Sequence, residues 1–241
     1  MIDHTKNGTV ITRVMCAIFF LLFTFLYLFD YQADVLAVAQ HVLAHGATHY
    51  NRVIGAILLT AILWALQLLV YGLSGLSRRS HALTYLPSML LLGVLTDVSS
   101  NIDCDPYLGN WLWGYPLLMV AYVGLVWICK QLETIEQPMV ETGLFSRMTW
   151  QNMLTMTLMS LIVCMLGNTD SLFHYRMRME TELAKGDYTS ALKVGTSDAK
   201  TDSSLTMLRV WALSEKHQLG DKLFTYPLMG GSDAMLPTGN P

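Results

Sequence analysis

The stretch VIGAILLTAILWALQLLVYGL, residues 53–73, decides the fold class. It carries no charge, and Gln67 is its most polar member. A helix rising about 1.5 Å per residue covers the roughly 30 Å of bilayer hydrocarbon in about 20 such positions. Working outward, the same pattern recurs. Residues 10–29 give a span whose apolar run from Val14 follows Lys6 and Arg13 in the manner of a signal sequence. The run is longer than a signal peptide's apolar core and no small-x-small cleavage site closes it, so it reads as a retained signal-anchor. Residues 111–129 and 149–166 give two further spans. Residues 82–97 give the weakest, about 16 residues with Pro87 near the start, where a missing backbone donor usually kinks a helix. The expectation is an all-α membrane protein with a bundle of about five transmembrane helices in residues 1–167.

Composition agrees. Hydrophobic residues make up 53% of the 241 and charged residues 14%, where a soluble chain carries about 25% charged. The shortfall is local: residues 1–167 hold 16 charges and residues 168–241 hold 17. A charge-poor body therefore precedes a segment of ordinary soluble composition. This excludes a single soluble globule, a disordered chain and a disulfide-built mini-domain. The net charge of −3 argues against nucleic acid as a partner, since binding it needs a basic face.

Lys and Arg set the orientation. With the N-terminus inside, Lys6, Arg13, Arg78, Arg79, Lys130 and Arg147 lie on the inner side and Arg52 alone on the outer. Five crossings then leave the C-terminal region outside the cytoplasm, in the periplasm of an inner-membrane protein. Four would leave it inside, so its side depends on segment 82–97. Tyr27, Tyr31, Tyr50, Tyr107, Trp111 and Trp113 are expected at the outer interface, and Tyr71, Trp127 and Trp150 at the inner one. Trp64, mid-span, reads as a helix-packing residue.

No Asp, Glu, Lys, Arg or His falls near the middle of any span. Such residues mark ion paths and proton relays, so their absence weighs against a channel or transporter. Pro87 and Pro116 read as ordinary kinks near helix starts rather than as the broken helices of transporters. No nucleophile elbow, phosphate loop or His-Glu-x-x-His motif occurs. Catalytic and cofactor-binding residues are none by sequence, and so are cofactors.

One outer segment, DYQADVLAVAQHVLAHGATHY (30–50), is patterned. On a helical wheel Asp30, Asp34, His41 and His45 fall within about 60° of one another, opposite Val35, Leu36, Ala39, Val42 and Leu43. The segment is expected to form an amphipathic helix in the outer interface, stopped by Gly46. Asp and His one turn apart can ligate a divalent metal, which makes this cluster, with the Asp-rich loop around Cys104, a weak candidate site. Solvated loop residues explain it equally simply. Cys16, Cys129 and Cys164 lie within spans, leaving Cys104 no external partner for an intramolecular disulfide.

Residues 168–226 read as a soluble helical-repeat-like region and residues 227–241 as a flexible tail. A helix over 169–185 ends at Gly186, a second runs through 188–194, and Asp202 or Ser203 caps a third that Gly220-Asp221 ends. The two Gly-Asp pairs are 34 residues apart, the tetratricopeptide period. The run Gly186-Asp-Tyr-Thr-Ser-Ala-Leu resembles that family's turn, although Met179 and Glu182 depart from its pattern and Pro227 cuts short the last helix.

Across its length the chain resembles an uncharacterised family of Bacteroidota inner-membrane proteins, through HVLAHGATHYNR (41–52), HALTYLPSMLLLGVLTDVS (81–99) and residues 204–237. The resemblance implies a hydrophobic bundle followed by an extracytoplasmic helical-repeat region, continuing in other members into further repeats. It implies no reaction and no catalytic residue.

The leading functional expectation is a non-enzymatic membrane anchor or scaffold. Its helical surface around Tyr175, Tyr188, Trp211 and Tyr226 would meet another membrane or periplasmic protein, because aromatic residues are favoured interface anchors. Tyr188 and Trp211 equally suit packing inside the repeat. A membrane enzyme or metal-dependent module using the outer Asp/His cluster is the alternative, and a small-molecule channel or transporter the second alternative.

Overall fold

The computed structural model describes residues 3–48, 50–99, 109–135 and 146–235, and every regular element among them is helical. The chain forms two compact units. One comprises residues 1–33 and 51–168, the other 34–50 and 169–241.

The first unit holds four helices long and apolar enough to cross a membrane. Helix α1 (Asp3–Leu26) continues through a π-helical turn, Tyr27–Tyr31. Its sequence carries two stripes of four-residue spacing. Thr12, Cys16, Phe20, Thr24 and Leu28 are buried, whereas Val10, Val14, Ile18, Leu22 and Leu26 are exposed. Both stripes contain apolar residues, but the buried one carries the hydroxyls. A soluble helix would hide the greasier stripe; here polarity turns inward.

Helix α2 (Ala33–Leu43) lies almost wholly in the second unit. Helix α3 (Arg52–Ser74) is capped by Asn51, whose side chain accepts from the amides of Val53 and Ile54, and closes on Gly75 in the left-handed region. A 3-10 turn, His81–Tyr85, leads into α4 (Leu86–Thr96). Helix α5 (Trp111–Ile135) contains Pro116, and α6 (Arg147–Leu166) is capped by Ser146.

The segment that looked weakest as a span is the centre of the unit. Helix α4 packs against α3, α5 and α6, and Ser88, Met89, Leu92 and Thr96 are fully or almost fully buried. It has only 11 residues because protein, not lipid headgroups, receives its ends. Asn152 on α6 accepts the amide of Ala82 at 2.7 Å, and the carbonyl of Thr96 accepts from the amide of Asn168 at 3.1 Å. Pro87 does not kink the helix. It occupies the first turn, where its missing N–H leaves no bond unmade.

Hydrogen bonds also fix direction. Thr12 pairs with Thr149 near the starts of α1 and α6, and Tyr27 pairs with Thr96 at the ends of α1 and α4. Gln67 donates to Thr84 and Ser88 to the carbonyl of Leu63, so α3 runs the opposite way to α4. Helices α1, α4 and α6 are therefore parallel to one another and antiparallel to α3. Trp111 donates to Asp97, bringing the start of α5 to the end of α4.

The second unit holds α7 (Ser171–Ala184), α8 (Tyr188–Lys193), α9 (Ser203–Glu215) and α10 (Leu219–Lys222). Asp170, Asp187 and Asp202 each accept an amide hydrogen from the first turn that follows. Met179, Leu183, Leu192, Leu205, Leu208 and Leu213 build its core, each such side chain contributing about 1.5–3 kcal/mol when fully buried.

The spacing of the repeat differs from expectation. Gly186, left-handed at φ 77°, ends α7, and the amide of Asp187 reaches back to the carbonyl of Glu182. The matching turn after α9 is made by His217 at φ 55°, with the amide of Gln218 donating to the carbonyl of Leu213. Gly220 lies inside α10 and ends nothing. The two left-handed turns lie 31 residues apart, at Gly186 and His217.

Candidate functional site

The wheel that aligned Asp30, Asp34, His41 and His45 requires one continuous helix, and the chain does not make one. Asp30 belongs to the π-helical turn of the first unit. The turn closes at Gln32, which starts α2 in a new register. Asp34 and His41 remain on α2, but His45 follows it with φ at 48°. Among the described residues no three His, Cys, Asp or Glu gather as a metal-ligating group. The loop around Cys104 lies outside the described residues, as do His49 and Tyr107. Of the apolar face of α2, Val35, Leu36 and Ala39 are buried, Val42 is half-buried and Leu43 is exposed.

Aromatic residues of the first unit divide. Trp113, Trp127 and Trp150 are exposed, as interfacial residues would be, and Trp64 is exposed rather than packed between helices. Tyr27 is not at the surface. It is buried in a chain of bonds at the end of the bundle: Gln32 Nε2 lies 3.1 Å from its hydroxyl, which lies 3.2 Å from Thr96 Oγ1. Thr96 Oγ1 also lies 3.0 Å from the carbonyl of Leu92 and 3.2 Å from that of Gly93, and the bonds of the chain polarise one another in series. The opposite end is held by Asn152, which donates to the carbonyls of Arg78, Arg79 and Met148. These networks join helices and present no nucleophile beside a base.

The second unit carries the four aromatic candidates. Tyr175, Tyr188 and Tyr226 are half-buried against its core. Tyr175 lies flat on Gly195, where a Cβ would come within 3.1 Å of the ring, and the glycine is left-handed besides. Trp211 is different: half its surface is open. Two exposed apolar residues that sequence alone did not single out share this unit, Phe224 at 83% exposure and Met229 at 60%.

Residues 227–235, expected to be loose, lie along α9. The amide of Met229 donates to Thr206 Oγ1 at 3.0 Å, and Ala234 is buried in a short 3-10 turn. Residues 236–241 lie outside the described residues. The carbonyl of Pro227 accepts from Arg209 at 2.7 Å. Arg209 is entirely buried, and desolvation pulls its pKa down from the usual guanidinium value. Its position was visible in the sequence, since it shares the apolar stripe of Leu205, Leu208 and Ala212 on α9, where a charge is out of place.

Compared with family models, curated proteins and solved structures, the chain matches none. Its function is argued from its own residues.

Proposed function

We propose that the protein is an integral membrane scaffold whose second unit recruits a protein partner. The observation that carries this is the inversion of polarity in the first unit. Ile57, Leu58, Leu69 and Leu73 on α3, Leu117, Val120 and Val123 on α5, and Leu154, Leu158 and Ile162 on α6 are exposed, while Thr60, Gln67, Thr84, Ser88 and Ser160 are buried. In water that arrangement would leave large apolar areas wet. In lipid it satisfies both environments, because tails cover the outside and hydroxyls bond helix to helix within.

Alternation of helix direction supports a fifth crossing by α4 despite its length. With Lys6, Arg13, Arg78, Arg79, Lys130 and Arg147 on the cytoplasmic side, five crossings put the second unit in the periplasm. An inner-membrane location and kinship with the Bacteroidota family resembled above accord with this topology. The paired helix-turn-helix elements α7/α8 and α9/α10 are of tetratricopeptide-like form, and stacked helix pairs bind through their exposed faces. The open Trp211, Phe224 and Met229 supply anchors for a partner.

Two measurements test the proposal. Single cysteines near positions 75, 102 and 190 are labelled in intact cells by a membrane-impermeant reagent. Labelling at 102 and 190 but not 75 is expected; labelling at 190 only after lysis overturns the topology. Crosslinked complexes are then recovered from cells with and without residues 168–241. Recovery of the same partner without them overturns the scaffold role.

A further inference from the structure

Arg209 has one edge engaged and one edge empty. Its Nη1 donates to Thr201 Oγ1 at 2.9 Å and to the carbonyl of Pro227 at 2.7 Å. Its Nε and Nη2 are buried and have no partner. These two groups are not scattered. Nη2 lies trans to Cδ across the guanidinium plane, so its hydrogen and that of Nε point from the same edge, spaced for the two oxygens of a carboxylate. Asp202, the acid that acts on this charge, is committed elsewhere, accepting the amide of Leu205 at 2.7 Å as the cap of α9. The ring of Tyr226 lies 6.0 Å from the guanidinium carbon. Native proteins pair a buried cation or satisfy its donors; here the half of the guanidinium shaped for an anion is the half left unsatisfied.

We propose that Arg209 is a carboxylate-binding site in the second unit, beside the segment that holds its other edge through the carbonyl of Pro227. The carboxylate accepts from Nε and Nη2 side-on, while Nη1 keeps its bonds to Thr201 and Pro227. Gly230 and Gly231 follow in that segment, both left-handed at φ 98° and 67°, and the amide of Met229 donates to Thr206 on α9. Met229 is itself exposed. The site stands whether or not the unit recruits a protein, since the carboxylate can belong to a small organic acid or to an Asp or Glu side chain of a polypeptide.

The test uses the full chain in detergent micelles with arginine labelled by 15N. The Nε–H resonance of Arg209 is assigned by its loss in Arg209→Lys. Sodium acetate is titrated against sodium chloride at equal ionic strength. A glutamate-rich peptide is titrated against its glutamine counterpart. A saturable shift of this resonance with acetate identifies the small-acid source. A saturable shift with the glutamate peptide alone, accompanied by faster hydrogen exchange at the amides of residues 228–235, identifies the polypeptide source. Arg209→Lys keeps the charge without the fork and is expected to weaken acetate or peptide binding at least tenfold. No saturable shift with either carboxylate beyond that given by chloride overturns the proposal, and so does unchanged affinity in Arg209→Lys. Should Arg209→Lys not fold, the resonance is assigned by through-bond correlation to the backbone of Arg209, and the titration of the wild-type chain decides alone.

Discussion

Asn152 Oδ1 accepts the amide hydrogen of Ala82 at 2.7 Å, across 70 residues of sequence. The same side chain donates to three carbonyls, those of Arg78, Arg79 and Met148. One amide thus fastens the entry of α4 to the start of α6, its two N–H hydrogens shared among the three carbonyls. Between helices in lipid there is little hydrophobic drive, so such bonds and close packing hold the bundle together. Asn152→Ala leaves buried backbone groups unmatched and is expected to cost about 1–3 kcal/mol, read as an earlier midpoint in titration of mixed micelles with a denaturing detergent. Thr157→Ala is the control. Its hydroxyl is exposed and bonds only to its own helix, and a change within about 0.5 kcal/mol is expected.

At the other end of the bundle Gly167 is required by space rather than by conformation. Its φ of −64° suits any residue, but an added Cβ would overlap the hydroxyl of Tyr27 and come within 2.9 Å of Thr96 Oγ1. Gly167→Ala should destabilise the first unit by about 1–3 kcal/mol through overpacking. Tyr27→Phe alone removes a bond, yet in the Gly167→Ala background it removes the tighter of the two overlaps. The double variant is therefore expected to be more stable than Gly167→Ala. Additive losses in the same detergent titration would mean that the two positions do not meet.

Acid should loosen α8 before it affects the core of the second unit. Asp187 caps that helix, and the hydrogen bond from the side chain of Ser190 is the main cause that holds its carboxyl below the ordinary aspartate value, followed by the Ser190 amide. A folded-state pKa below the unfolded one gives stability that is present above the ordinary carboxylate value and lost as pH falls from there through the lowered, folded-state value. Amide exchange over residues 188–193, followed from pH ~6 to pH ~3, should accelerate in the wild type by more than intrinsic chemistry requires. Asp187→Asn should flatten that dependence. An unchanged profile in the variant would place the acid response elsewhere.

What the chain reveals without coordinates follows from which forces are local. The long spans, the cap at Asp202 and the stop at Gly186 were legible because helix length, N-caps and left-handed glycines act within a few residues. The role of segment 82–97 was not, because its length says that it is a poor span and only its neighbours say that it needs no lipid. The Asp/His wheel failed at Gln32, where a π-helical turn changes the phase of everything after it. His217 hid the second turn, since a left-handed histidine gives no signal of the kind a glycine gives. Arg209 was legible and passed over: an arginine among Leu205, Leu208 and Ala212 breaks the periodicity that defined the core. The chain from Gln32 to Thr96 was out of reach, since Tyr27 and Thr96 are 69 residues apart in sequence.

Trp211 separates packing from recognition. It lies on α9 between buried Leu208 and Ala212, and sequence spacing places it with the core, yet half of it is exposed. Trp211→Ala and Phe224→Ala should therefore leave the second unit's stability within about 0.5 kcal/mol of the wild type, whereas Leu208→Ala should cost about 2–5 kcal/mol. If the surface recruits a partner, the two exposed substitutions reduce crosslinked recovery while the thermal midpoint holds, because truncating an interface anchor removes binding energy without opening a cavity. A photo-reactive residue at position 211 supplies an independent readout: it should yield an adduct in cells that Phe224→Ala diminishes. Loss of stability in Trp211→Ala would instead return the indole to the core, and full recovery in both variants would move the partner to another face.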